Sequence, residues 1–265
     1  MAVPLVLPDP DEARLENSPL RLVVCQVRHS RTVGVSDAGL VVEIQRRIGE
    51  QYPDASPYEQ QEVIFTAGPG GANANTRQGQ QGWQFKSEDG TWTLTLQTDF
   101  FSIETSDYHD WTDFRERFEA LLGGVAQVYS PKLEQRIGLR YVDEIERPDL
   151  STPHEWRGSI ADDVLGPVAD PALGPAVRVA QQVLELEGPG GTRCLLRHSC
   201  EPFPGSKPGS VYRLDHDCFR QRSRPFDVAE VLGTVDELHR LALQIFQRAI
   251  TPAMYASLRG DGVSD

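Results

Sequence analysis

The chain has 265 residues, of which 39 are acidic and 26 basic, giving a formal charge of −13, and 39% are hydrophobic. That length allows one large or two small domains around a real core, and the composition excludes a disordered chain. No apolar run approaches the ~18 residues needed to cross a bilayer. The opening MAVPLVLPDPDEARLE lacks the basic and apolar regions of a signal peptide. The expectation is therefore a cytoplasmic protein with no membrane association. The acidity argues against nucleic acid as a partner, because that affinity comes from clustered Lys and Arg releasing counterions. Cys25, Cys194, Cys200 and Cys218 are expected as buried thiols rather than disulfides.

After an N-terminal extension over 1–19, Leu20 to Val27 is short, apolar and β-branched and predicts a strand. Ser36 is placed to cap a helix whose apolar face holds Leu40, Val41, Ile44 and Ile48, ended by Pro53. Val63 to Ala67 reads as a strand, and GPGGANANTRQGQQG at 68–82 as a mobile hairpin loop, since its side chains bury too little apolar area to offset their ordering. Trp83 and Phe85, then Trp92, Leu94 and Leu96, line strands on either side of an Asp89-Gly90 turn. The alternation slips at Asp99-Phe100 before Phe101 and Ile103 resume it. Asp110 caps a helix with the stripe Trp111, Phe114, Phe118, Leu121, Leu122, Val125, Val128 and Tyr129, ending near Pro131.

The second half follows the same order. Arg136 to Ile145 alternates as a strand, and Thr152, Pro153 and Glu155 form a capping box for a helix through Trp156, Ile160 and Val164. Strands are predicted over 177–187, 192–200 and 211–219. Asp227 or Thr234 caps a final helix carrying Val231, Val235, Leu238, Ala242, Ile245, Phe246 and Ala249. The segments 114–131 and 235–252 also match weakly. The fold class expected is α+β, built from tandem duplicated β-α-β(3–4)-α units over 20–132 and 133–258, with a disordered tail at 259–265. The units share an antiparallel sheet with long helices on one face, in an element order similar to TATA-box-binding-protein and helix-grip arrangements.

RIGLRYVDEI at 136–145, together with LVVCQVRHS at 22–30, YRLDHD at 212–217 and LHRLALQIFQRAIT at 238–251, resembles a sporadically distributed bacterial and archaeal family of conserved hypothetical proteins of about this length. The resemblance covers nearly the whole chain and is strongest over Arg136 to Tyr141. It departs at Asp215-His216-Asp217, where the family has an apolar residue between the two acids. No established activity comes with the family, so the resemblance implies a fold and assigns no residue a role.

Cys194, His198 and Cys200 share one face of a strand, and His216 and Cys218 one face of the next, which would let sulfur and imidazole converge on a metal. The C-x3-H-x-C and H-x-C spacing is no zinc signature, and same-face neighbours about 7 Å apart chelate poorly. A half-buried sheet face is the simpler reading. Asp215 and Asp217 also share a face, and Asp143 with Glu144 ends the matching strand. They could act as acid and base or hold a hard cation, but a solvated face, or ion pairs with Arg136, Arg140 and Arg213, is the simpler reading. Arg220, Arg222 and Arg224, interleaved with Phe219 and Phe226, could dock an anionic partner. Phosphate-loop, nucleophile-elbow, zinc-protease and dinucleotide motifs are missing, and no cofactor is implied.

The expected function is a non-catalytic protein-binding module of a bacterial accessory system, antitoxin-like, immunity-like or self-assembling, whose partner is another protein or a second copy. Ligand or partner candidates are Arg140, Tyr141, Asp143, Tyr212, Arg213, Asp215, Asp217, Arg220 and Arg222. The alternative is a small-ligand-binding or enzymatic helix-grip protein with a pocket between sheet and long helices near Arg140, Tyr141, Tyr212 and Asp217.

Overall fold

The computed structural model describes residues 2–32, 38–68, 71–203 and 208–260, and of 59–68 and 71–81 the backbone. The proposed Ser36 cap and the end of the tail, 261–265, lie outside the described residues. The first half runs β1 (Leu20–His29), α1 (Ala38–Ile48), β2 (Asp54–Gly68), β3 (Gly71–Lys86), β4 (Trp92–Leu96), β5 (Phe100–Thr105) and α2 (Trp111–Val128). The second runs β6 (Leu133–Arg147), α3 (Asp162–Leu165), β7 (Ala180–Glu187), β8 (Thr192–Pro202), β9 (Ser210–Pro225), α4 (Val228–Ala249) and α5 (Pro252–Arg259). Among the described residues these five helices accompany one antiparallel sheet of nine strands, in the order β2-β3-β4-β5-β1-β6-β9-β8-β7. The α+β class with a single large sheet is as expected. Among the described residues no helix is long and apolar enough to cross a membrane.

Local sequence explains most elements. Asp110 has extended backbone and its carboxylate accepts from the Asp113 N–H, so α2 starts where the cap predicts, and Phe114, Phe118, Leu121, Leu122 and Val125 are buried along its stripe. Asp89 accepts from Ser87 and Thr91, and Gly90 takes φ +72°, which closes the β3–β4 connection. The Asp227 carboxylate accepts from the Glu230 N–H at the start of α4.

Three expectations are corrected. The described part of the supposed loop at 68–82 is strand instead: Gly71 onward pairs with β2 from Gly68↔Gly71 to Asp54↔Lys86, with one irregularity between Glu59 and Gln61. A ladder of backbone hydrogen bonds needs no apolar side chains, so composition misjudged this segment. The capping box at Thr152 is present, yet it opens only a short 3-10 turn, Pro153–Trp156. Arg157 then takes ψ 137° and Gly158 φ +86°, so the chain leaves the helix and α3 begins afresh at Asp162. Finally, α5 was missed, although the Thr251 hydroxyl accepts from the Met254 N–H, Pro252 follows, and Gly260 closes the helix in the left-handed region.

The chain divides into two compact units. One comprises Met1–Val24, Gly138–Gln221 and Gly233–Asp265; its core includes Leu139, Trp156, Leu196, Leu214, Leu238 and Ile245, all buried. The other comprises Cys25–Ile137 and Arg222–Leu232 and is centred on Ile44, Phe85, Leu94, Phe101, Phe118 and Leu121. In that second unit the Phe101 and Phe118 rings stack with centroids 6.4 Å apart.

Candidate functional site

The sequence candidates fall on the strands β6, β9 and β8 of the first unit, and the pleat sorts them onto two faces. In β6, Leu139, Tyr141, Asp143 and Ile145 are buried, while Arg140, Val142 and Glu144 between them are half-buried. In β9, Tyr212, Leu214, His216 and Cys218 lie on the covered side, and Arg213, Asp215 and Asp217 on the other. The β8–β9 register sets Arg197 opposite Asp215, Leu195 opposite Asp217 and Ser199 opposite Arg213.

The outward face is a network of ion pairs. Arg140 Nε and Nη2 donate to the two carboxylate oxygens of Asp215 at 2.7 and 2.8 Å, a bidentate pair. Arg197 reaches the same carboxylate at 3.5 Å from the opposite strand. The Asp215 side chain is only 10% exposed, whereas the Arg140 and Arg197 side chains are each 44% exposed. Asp215 thus anchors two half-exposed arginines. One step along, Arg213 donates to Glu144 at 2.8 Å and to Glu201 at 3.2 Å, and Arg21 of β1 lies 3.0 Å from Glu146. The hydrogen bond to Asp215 and its charge hold the Arg140 guanidinium in its charged form against some burial. Arg193 lies over the Phe219 ring at 5.3 Å and pairs with Glu185 at 2.8 Å.

The covered face carries a buried polar cluster. Tyr141 Oη lies 2.7 Å from His239 Nδ1 on α4, and the Tyr141 ring stacks on His216, centroids 5.9 Å apart. Asp143 Oδ2 sits 3.6 Å from His216 Nε2, a contact longer than a hydrogen bond. Burial pushes Asp143 up to about 8 and His216 and His239 down to about 4. At neutral pH all three are therefore uncharged, and the contact is one between neutral groups rather than an ion pair. His216 also meets Phe246 of α4, and on the neighbouring stretch His198 Nδ1 lies 2.8 Å from Tyr212 Oη. Burial pushes the Tyr212 hydroxyl and the Cys218 thiol up, which leaves neither a ready nucleophile.

The structure therefore separates residues that the sequence grouped. Tyr141 and Tyr212 line the covered face and Arg140 and Asp217 the open one, so the four do not converge on one pocket. Between sheet and α4, the rings of Tyr141, His216, His239 and Phe246 occupy the space by mutual contact. Cys194 directly faces Cys218, Cys200 faces Tyr212 and His216 faces Leu196. Among the described residues no group of three His, Cys, Asp or Glu side chains is placed to hold a metal ion. Arg220 is buried, 3.7 Å from Glu237, and Arg224 pairs with Glu134 and Glu230, while Arg222 is exposed beyond the charged network.

Sequence reasoning missed Arg197 and Glu201. Their signal was available, because residues 193–201 alternate and those between Cys194, His198 and Cys200 must share the face of Asp215 and Arg213. Compared with known proteins, the chain matches no family model and no curated protein.

Proposed function

We propose that the chain is a non-catalytic protein-binding module that docks a partner on the open face of β6, β9 and β8. The observation that carries this reading is the pair of half-exposed arginine side chains, Arg140 and Arg197, held on one largely buried carboxylate, Asp215. Such pre-oriented arginines present N–H groups to a carboxylate-bearing protein surface at little further ordering cost. The rows around them, Arg213 with Glu144 and Glu201, supply alternating charge that would fix the partner's register.

The docking face belongs to a duplicated scaffold in this reading. What supports duplication is the strand order: outward from the centre, β1, β5, β4 and β3 succeed one another on one side as β6, β9, β8 and β7 do on the other. The lead strand of each half is innermost and its last strand comes next, an order similar to that of TATA-box-binding proteins.

The test is an affinity capture from the native host, using the wild-type chain and the Arg140→Glu/Arg197→Glu double variant side by side. Recovery of one protein in fixed stoichiometry by the wild type alone is expected. Equal recovery by both, or recovery by neither, overturns the reading.

A further inference from the structure

The sheet ends in two edge strands, β2 and β7. An open edge offers unpaired N–H and C=O groups to any extended chain, and proteins usually blunt such edges with Pro, charge or short length. The sequence of β2 contains Pro57 together with Asp54, Glu59 and Glu62. By contrast β7, AQQVLELE, is eight residues long, has no Pro or Lys and carries its charges, Glu185 and Glu187, at one end; it pairs with β8 along its length, and its other side is met by the backbone of Leu5 at Glu187.

Exposed apolar side chains gather at that edge. Val183 is 64% exposed and Leu184 40%, both within β7, while Val179 at 71% and Leu173 at 53% lie in the segment leading into it. The N–H of Leu5 donates to the Glu187 carbonyl at the end of β7, and this places the N-terminal segment, with exposed Val3 and Val6, beside the same strand. Among the described residues, six of the eight exposed large hydrophobic side chains therefore belong to β7, its lead-in, or the segment bonded to its end.

We propose that a second copy of this chain adds to the free edge of β7, antiparallel and centred on Val183, making the protein a dimer. The occupant follows from charge and pattern. Arg178, at the start of the strand, is exposed and has no ion pair among the described residues, whereas Glu185 and Glu187 stand at its other end. Antiparallel pairing of two copies brings each basic end against the other's acidic end, and a parallel arrangement does not. Where two identical strands pair antiparallel about a two-fold axis, facing residues have equal parity, so an axis at Val183 sets Val183 against Val183 and Gln181 against Glu185. Val183 of each copy then covers that of the other, Leu184 faces Gln182, and no like charges are opposed within the strand. This goes beyond the docking face proposed above, which lies on other residues.

Sedimentation of the full chain tests the proposal, with a mass near twice 29.5 kDa expected for the wild type. The Val183→Glu variant is expected to sediment as a monomer with unchanged circular dichroism, because residue 183 faces Arg197 across β8, which suits a glutamate, but faces its own copy in the dimer. Under mild oxidation Val183→Cys forms a cross-linked dimer and Gln181→Cys does not. A monomeric wild type, a Val183→Glu variant that stays dimeric, or cross-linking through Gln181→Cys instead overturns the proposal. The Arg140→Glu/Arg197→Glu variant remains dimeric, which separates this result from the outcome of the partner capture.

Discussion

Asp143 and His216 sit 3.6 Å apart in a buried setting, yet they pull stability in opposite directions with pH. Burial lifts Asp143 from 3.8 to about 8, so the folded chain keeps a proton that the unfolded chain releases. Its contribution is fully present below pH 3.8 and is lost as the pH rises to about 8. His216 goes the other way, from 6.5 to about 4, so its contribution is present above pH 6.5 and is lost as the pH falls through about 4. The Asp143→Asn variant has the same shape and no charge to bury. Its advantage over the wild type should grow between pH 4 and 8, by at most about 1.4 kcal/mol for each pH unit, and then level off. Denaturant unfolding at a series of pH values measures this, and a constant difference across the range would refute the assignment. Wild type and variant alike keep the acid-side loss, because His216 and His239 are each held near 4 by burial.

At the level of strands and helices, the two arginines on Asp215 are not equivalent. Arg140 from β6 makes two bonds at 2.7 and 2.8 Å, while Arg197 touches the same carboxylate at 3.5 Å. A double-mutant cycle with alanine should give a coupling of about 0.5–1 kcal/mol for Arg140 with Asp215 and a smaller one for Arg197, both reduced by solvent screening. Equal couplings would mean that Arg197 holds the carboxylate as firmly as Arg140 does. The alternation of β6 made both of its faces legible in the sequence, as did the stripe of α2 and its Asp110 cap. What was not legible arises from pairing at long range. Charge alone suggests ion pairs of Arg140 and Arg213 with Asp143, Glu144, Asp215 or Asp217. No local pattern tells that β6 lies beside β9, so which groups meet, Arg140 with Asp215 and Asp143 with His216, cannot be read from spacing. The segment after Gly71 failed for a related reason, since its strand character comes from its partner β2 rather than from its own glycines and asparagines.

Chain order and compactness do not coincide across the whole molecule. The unit holding Gly138–Gln221 and Gly233–Asp265 also takes in Met1–Val24, and the unit built from Cys25–Ile137 takes in Arg222–Leu232. Within the first unit the N-terminal segment is tied down at several points. Gln244 donates to the Leu7 and Pro8 carbonyls, Gln247 to that of Asp11, and Arg259 pairs with Asp11 at 2.8 Å. A cut near residue 132, between the two halves of similar element order, therefore leaves neither fragment with a complete unit. Fragments 1–132 and 133–265 should each show little cooperative unfolding alone, and mixing them should restore it, because the missing strands and their buried apolar area return together. Thermal melts of the separate and mixed fragments decide this. Two independent cooperative transitions from the isolated fragments would mean that each half carries its own core, and the crossing segments would then be additions to finished domains rather than parts of them.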